Sequence, residues 1–101
     1  MAFMITLIWS EQALFSLEEI VEFISRDSEC YAKSFTAKII EQVENLTAFP
    51  ELGRKVPEFN DRKIRELIFH NYRIVYLVKE DSVNILYVGH SSKLIPELKI
   101  Q

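Results

Sequence analysis

Cysteine occurs only once, as Cys30. That excludes an internal disulfide framework and a cysteine-based metal site, and it fits a reducing compartment. Glycine occurs twice and proline three times, too sparsely for a flexible linker or a low-complexity tract. No internal boundary can be placed, so residues 1–101 are expected to form one domain with one modest core. Long hydrophobic runs are missing as well. The best, residues 3–9, is about a third of the roughly 20 residues a membrane helix needs. It has no basic flank and no small-residue cleavage site, so neither a membrane span nor a secretory signal is expected, and the location expected is cytoplasmic. A surplus of positive charge is also lacking. Twelve Lys and Arg stand against fifteen Asp and Glu, net −3, the wrong sign for clamping nucleic acid by bulk electrostatics.

The charge that is present is unevenly placed. Half of the basic residues (Arg54, Lys55, Arg62, Lys63, Arg65 and Arg73) fall within residues 54–73, opposed there by Glu58, Asp61 and Glu66. That window carries +3 and the remainder of the chain −6. Acid concentrates early, at Glu11, Glu18, Glu19, Glu22, Asp27 and Glu29. Such a chain can show one basic face to an anionic partner while staying acidic overall, although a solvated loop with scattered charge is an equal reading of the composition.

Hydrophobic spacing sets the element order. Residues 3–9 are β-branched and aromatic and read as a strand ending at Ser10, which can cap a helix. Ala13, Leu14, Leu17, Ile20, Val21 and Ile24 then recur at helical spacing to about residue 25. A second helix is expected from about residue 29 to 49, capped by Ser28, carried by Ala32, Phe35, Ile39, Val43 and Leu46, and stopped by Pro50 and Gly53. The short break between them predicts an antiparallel helical hairpin. Residues 50–63 read as a turn-rich connection, and strands are expected at residues 64–69, 72–79 and 83–89. The fold class is therefore α+β, in the order β-α-α-β-β-β, with the hairpin on one face of a mostly antiparallel sheet.

A sheet covered on one side should be polar on the other. The strand at residues 72–78 instead offers Tyr72, Ile74, Tyr76 and Val78 on one side and Arg73, Val75 and Leu77 on the other. Both faces are apolar, so something should cover the second one: the chain's own tail, residues 94–100, or a bound partner peptide.

Five strings in register resemble the ParE/RelE superfamily of type II toxin–antitoxin toxins. They are Trp9-Ser-Glu-Gln-Ala13, Phe49-Pro-Glu-Leu-Gly-Arg-Lys-Val-Pro-Glu58, Ile64-Arg-Glu-Leu67 with Tyr72-Arg-Ile-Val-Tyr76, and Ile85-Leu-Tyr-Val-Gly-His90. The likeness spans about residues 3–93. It implies a toxin held inactive by a cognate antitoxin whose C-terminal segment wraps it, with no cofactor and no metal. Acidic antitoxin residues would meet the +3 window, and apolar ones would fill the second sheet face.

The superfamily has two branches. RelE-like members, the YoeB type among them, cut mRNA on the ribosome, whereas ParE-like members poison DNA gyrase. Metal-free RNA cleavage needs a base for the 2′-hydroxyl, cations for the phosphorane and an acid for the leaving oxygen. If this chain were such an endoribonuclease, the resemblance would assign that work to Arg73, with Arg65, Lys55 and His90. Gly89-His-Ser-Ser-Lys93, however, is more similar to a ParE-type H-x-x-R ending, with Lys93 in place of the arginine. That ending, the net acidity and the G-R-x-x-P-E and I-R-E-L strings favour the ParE-like branch, whose target-binding candidates here are Arg54, Arg65, Arg73, His90 and Lys93. An Arg54–Glu58 pair across the turn is expected. Arg65 and Glu66 must lie on opposite faces of a strand, and Arg65 is expected outward and available. Arg73 can equally serve a structural ion pair, and Trp9, Tyr72 and Tyr76 are expected as core or sheet-face aromatics.

Overall fold

A computed structural model of the chain describes residues 5–61 and 63–100. The expected strand residues Phe3 and Met4, and Arg62 of the basic window, lie outside the described residues. The elements are β1 (Thr6–Trp9), α1 (Glu11–Ser25), α2 (Glu29–Glu44), β2 (Arg54–Lys55), β3 (Ile64–Phe69), β4 (Tyr72–Val78) and β5 (Ser82–His90). Both helices start where a serine satisfies an otherwise orphaned amide. Ser10 accepts from the Ala13 N–H and Ser28 from the Tyr31 N–H, each at 3.0 Å. The second helix ends earlier than its spacing suggested. At Asn45 the chain tightens into a 3-10 turn, Asn45–Thr47, which still buries Leu46.

The sheet has the order β1-β5-β4-β3-β2, antiparallel except for the parallel pair β1 and β5. The connection 50–63 thus hides a strand. Arg54 and Lys55 pair with Glu66 and Arg65 as a short edge that sequence periodicity cannot reveal, because two residues have no period.

The helical hairpin covers one sheet face, where Ala13, Leu17, Phe35, Ile39 and Val43 pack on Leu67, Ile74, Tyr76, Val83, Ile85 and Val88. Trp9 and Tyr72 pack at the margin of this core, as expected of sheet-face aromatics. Burying these side chains is the main drive holding helices to sheet. The opposite face carries a second, smaller core of Val56, Ile64, Val75, Leu77 and Leu86. The chain covers it by itself, with Phe59 from the connection and with Ile95 and Leu98 from the tail. The Gln12 side chain fixes that tail, donating to the Glu97 carbonyl (3.0 Å) and accepting from the Lys99 N–H (3.1 Å). Of the two covers the apolar face called for, the tail is the one seen here. Leu94 takes no part and points to solvent.

A bulge in β5 decides which residues share a face. Val75 pairs with Tyr87 but Tyr76 pairs with Ile85, leaving Leu86 as the extra residue. Leu86 and Tyr87 both join the tail-side core, and Val88 returns to the helix side.

Candidate functional site

The basic window folds around a buried ion-pair cluster on the tail side of the sheet. Arg73, central in β4, shares that face with Val75 and Leu77 and is almost fully buried. Its Nη1 donates to Glu66 Oε1 and to Glu58 Oε1, each at 3.2 Å. Its Nη2 donates to Glu58 Oε2 and, at 3.2 Å, to the Lys93 carbonyl. The second Glu66 oxygen accepts from Arg54 Nε at 2.8 Å. Glu66, 0% exposed in its side chain, is therefore shared between two arginines, and Glu58 closes the array from the connection before β3. Among the described residues, Arg73 Nε is the buried side-chain polar atom left without a partner.

The physical sense of the cluster is pairing. A charge this deeply buried is tolerated only when matched and hydrogen-bonded. The bidentate fork of arginine suits two carboxylates at once, which a lysine could not match. Hydrogen bonding and charge from Arg73 hold the Glu58 carboxyl below its ordinary value near 4.5. Glu58 in turn raises the Arg73 guanidinium further, although burial opposes this. The sign follows from the lowered carboxylate. The Glu58 contribution to stability is full above about pH 4.5 and is lost as pH falls through the depressed folded value. Glu58→Gln should therefore flatten the loss of thermal stability of the wild type below pH 4.5, measured as Tm against pH. A parallel pair of profiles would refute that linkage.

The remaining predicted site residues are dispersed. Arg54 pairs with Glu66, not with Glu58 as expected, because the β2–β3 register puts Arg54 directly across from Glu66 and leaves Glu58 to Arg73. Arg65, expected outward and available, points to the helix side, although it stays more exposed than Glu66. It shares the helix-side face with Leu67 and Tyr76, is half-buried, and donates from Nη1 to the Gly53 carbonyl at 2.8 Å. Lys55 lies opposite Arg65 on the exposed edge strand. His90, at the end of β5, also turns to the helix side, stacking edge-on against Tyr72 with its Nδ1 accepting from the Ser92 N–H at 3.1 Å. Lys93 meets the cluster only through its backbone carbonyl. Arg73 and His90 thus stand on opposite faces of the sheet, and Arg65 and Lys55 gather at the far edge. The four residues that the resemblance would assign to RNA cleavage do not converge on one surface.

Glu66 is the residue sequence reasoning passed over. Its one visible signal was an acid that, apart from Arg65, stands in an apolar strand, Ile64-Arg-Glu-Leu67, which calls for a buried cation nearby. Tyr87 was not among the candidates either. The bulge places it on the Arg73 face, its ring lies over Gly89, where an added Cβ would meet the phenol oxygen at 2.2 Å, and burial raises its pKa.

The overall fold of the chain is similar to that of a solved toxin–antitoxin structure. That structure is described as the chromosomal ParDE TA system from P. aeruginosa; the likeness has a TM-score of 0.72 at 22% identity, covering 88% of this chain and 98% of that chain. At that identity the likeness speaks for the fold. No curated protein matches the sequence significantly. The family described as "ParE toxin of type II toxin-antitoxin system, parDE" matches residues 7–95. The chain belongs to the ParE toxin family of type II toxin–antitoxin systems.

Proposed function

We propose that this toxin acts in the cytoplasm by binding a protein, with DNA gyrase as its target, and that a cognate antitoxin neutralises it. The observation carrying this reading is the state of Arg73. The cation that a ribonuclease mechanism would aim at the phosphorane is engaged by Glu58, Glu66 and the Lys93 carbonyl, and it is almost fully buried. Releasing it to a phosphate would leave Glu66 buried with Arg54 alone, at a cost of several kcal/mol. The dispersal of His90, Arg65 and Lys55 supports the same side. Net acidity does too, because docking on ribosomal RNA favours a basic surface.

The deciding measurement uses the purified full-length chain in two assays run side by side. Gyrase-driven supercoiling should be inhibited while mRNA in a translating extract stays intact. Cleavage of mRNA in the ribosomal A site with unimpaired supercoiling would overturn the reading. Co-expression of the protein encoded by the adjacent reading frame should restore growth.

A further inference from the structure

The helical hairpin carries a groove of its own that neither core fills. It encloses about 560 Å³ between the two helices, with Val21 and Ser25 of α1 on one wall, Thr36, Ala37 and Ile40 of α2 on the other, and the buried Ala32 between them. α2 sends Phe35, Ile39 and Val43 into the sheet-side core. A different stripe of the same helix, Lys33, Ala37, Ile40 and Glu44, stays exposed, Ile40 by 41%. Its members are spaced four, three and four residues apart. That is the seam spacing with which one helix lies along another at a shallow angle, and on this face α2 has no helix to meet.

The charges on this stripe select the occupant. Glu44 stands in the last turn of α2, where the carbonyl end of the helix dipole disfavours an acid, and that turn holds no base to offset it. Lys33 stands toward the other end. Neither takes part in a salt bridge among the described residues. Turned end for end about an axis midway between Ala37 and Ile40, the stripe complements itself. Lys33 then faces Glu44 of a second copy, and Ala37 faces its Ile40. Two-fold symmetry repeats each contact, so two ion pairs bracket two apolar ones. Ala37 is small enough to let the backbones approach, and Ile40 of the second copy fills the room above it. The antiparallel arrangement also brings each lysine beside the negative end of the opposing helix.

We propose that α2 is a self-association helix: two copies of this chain pack α2 against α2, antiparallel and two-fold symmetric, each seating Ile40 on Ala37 of the other and pairing Lys33 with Glu44. Val21 and Ser25 form the far wall against which the second helix rests. A seam of four residues on each side belongs to the small class of interfaces, below about 1,200 Å², so the dimer is weak and forms as concentration rises. Charge sets its antiparallel register, because a parallel pair would oppose lysine to lysine and glutamate to glutamate. The contact leaves the Arg73 cluster and the tail untouched, and it does not depend on which target the toxin binds.

Sedimentation equilibrium of the purified full-length chain, from about 1 μM to about 1 mM, should show a reversible monomer–dimer equilibrium. Lys33→Glu and Glu44→Lys lie at exposed helix positions and should leave the Tm near that of the wild type. Each should weaken association at least about tenfold, because one substitution turns both symmetric pairs into repulsions. The double variant Lys33→Glu, Glu44→Lys pairs again with the signs exchanged and should associate within about threefold of the wild type. An equimolar mixture of the two single variants should recover as well. A chain that stays monomeric over the whole range, single variants that associate like the wild type, or a double variant that fails to recover would overturn the proposal. Coverage of Ala37 and Ile40 by added antitoxin, with the chain alone monomeric, would assign the groove to that protein and overturn it too. Growth arrest on expression of the chain alone tests the toxin reading separately, so the two can fail independently.

Discussion

Arg73→Ala is expected to destabilise the protein by about 3–5 kcal/mol, the range for breaking a buried ion pair by removing one partner. The reason is what remains behind. Glu66, with no exposed side-chain surface, keeps only Arg54, whose own side chain is largely in water, and Glu58 loses its partner altogether. Chemical denaturation should show a lower midpoint with an unchanged slope, since the surface exposed on unfolding hardly changes. A loss below about 1 kcal/mol, the range typical of exposed pairs, would mean that the cluster is solvated and adds little. This expectation also governs how toxicity data are read. An inactive Arg73→Ala protein says nothing of catalysis unless it is shown to be folded. Glu58→Gln is the more informative variant, because it loosens Arg73 and keeps Glu66 in place.

Gly53→Ala is expected to be the other severe lesion, at several kcal/mol. The absence of a side chain at Gly53 is what lets the connection lie against the β3–β4 pair. An added Cβ would sit 2.5 Å from the Glu66 carbonyl oxygen and 2.7 Å from the Tyr76 hydroxyl. The first is backbone in a paired strand and cannot move aside cheaply. The second is a fully buried phenol that accepts from the Gly53 N–H at 2.8 Å and donates to the Pro50 carbonyl at 2.9 Å. Arg65 ties the same loop by donating to the Gly53 carbonyl. Tyr76→Phe removes only the hydroxyl and leaves the Gly53 N–H unpaired, a cost of about 1–3 kcal/mol. Because both variants break one network, the double variant should lose clearly less than the two single losses added. Strict additivity in denaturation midpoints would show that the hydroxyl and the glycine act separately. Disruption here would also reach the ion-pair cluster, since Gly53 is followed at once by Arg54, the partner of Glu66.

Some of this was legible before any coordinates. Ser10 and Ser28 announce their helices because a hydroxyl at that position satisfies an amide that the helix itself cannot. The face assignment of β4 follows from its period of two, since Tyr72, Ile74 and Tyr76 must share a side opposite Arg73, Val75 and Leu77. An apolar pattern on both sides was enough to require a second cover. The motif strings, read in register, led to the family that the comparison then established over residues 7–95.

The placement of charges was not legible. Pairing partners depend on register, and register depends on contacts far apart in sequence. Arg54 meets Glu66 twelve residues away, and Arg73 meets Glu58 fifteen away, through strand pairings that no local spacing encodes. The bulge at Leu86 had the same effect on β5. One extra residue moves Tyr87 to the Arg73 face and turns Val88 and His90 toward the helices, separating two residues that a simple alternation would leave free to meet.

The amino-acid sequence by itself determined the element order, the caps, the two-faced apolar character of the sheet and family membership, because each rests on local periodicity or on short strings at fixed spacing. Tertiary structure alone decided that the tail covers the second face, that Arg54 and Arg73 of the basic window are paired with acids of the same window, and that α1 beside β5 is lined with acid. Those outcomes depend on which distant segments come together, and only the packed chain brings them there.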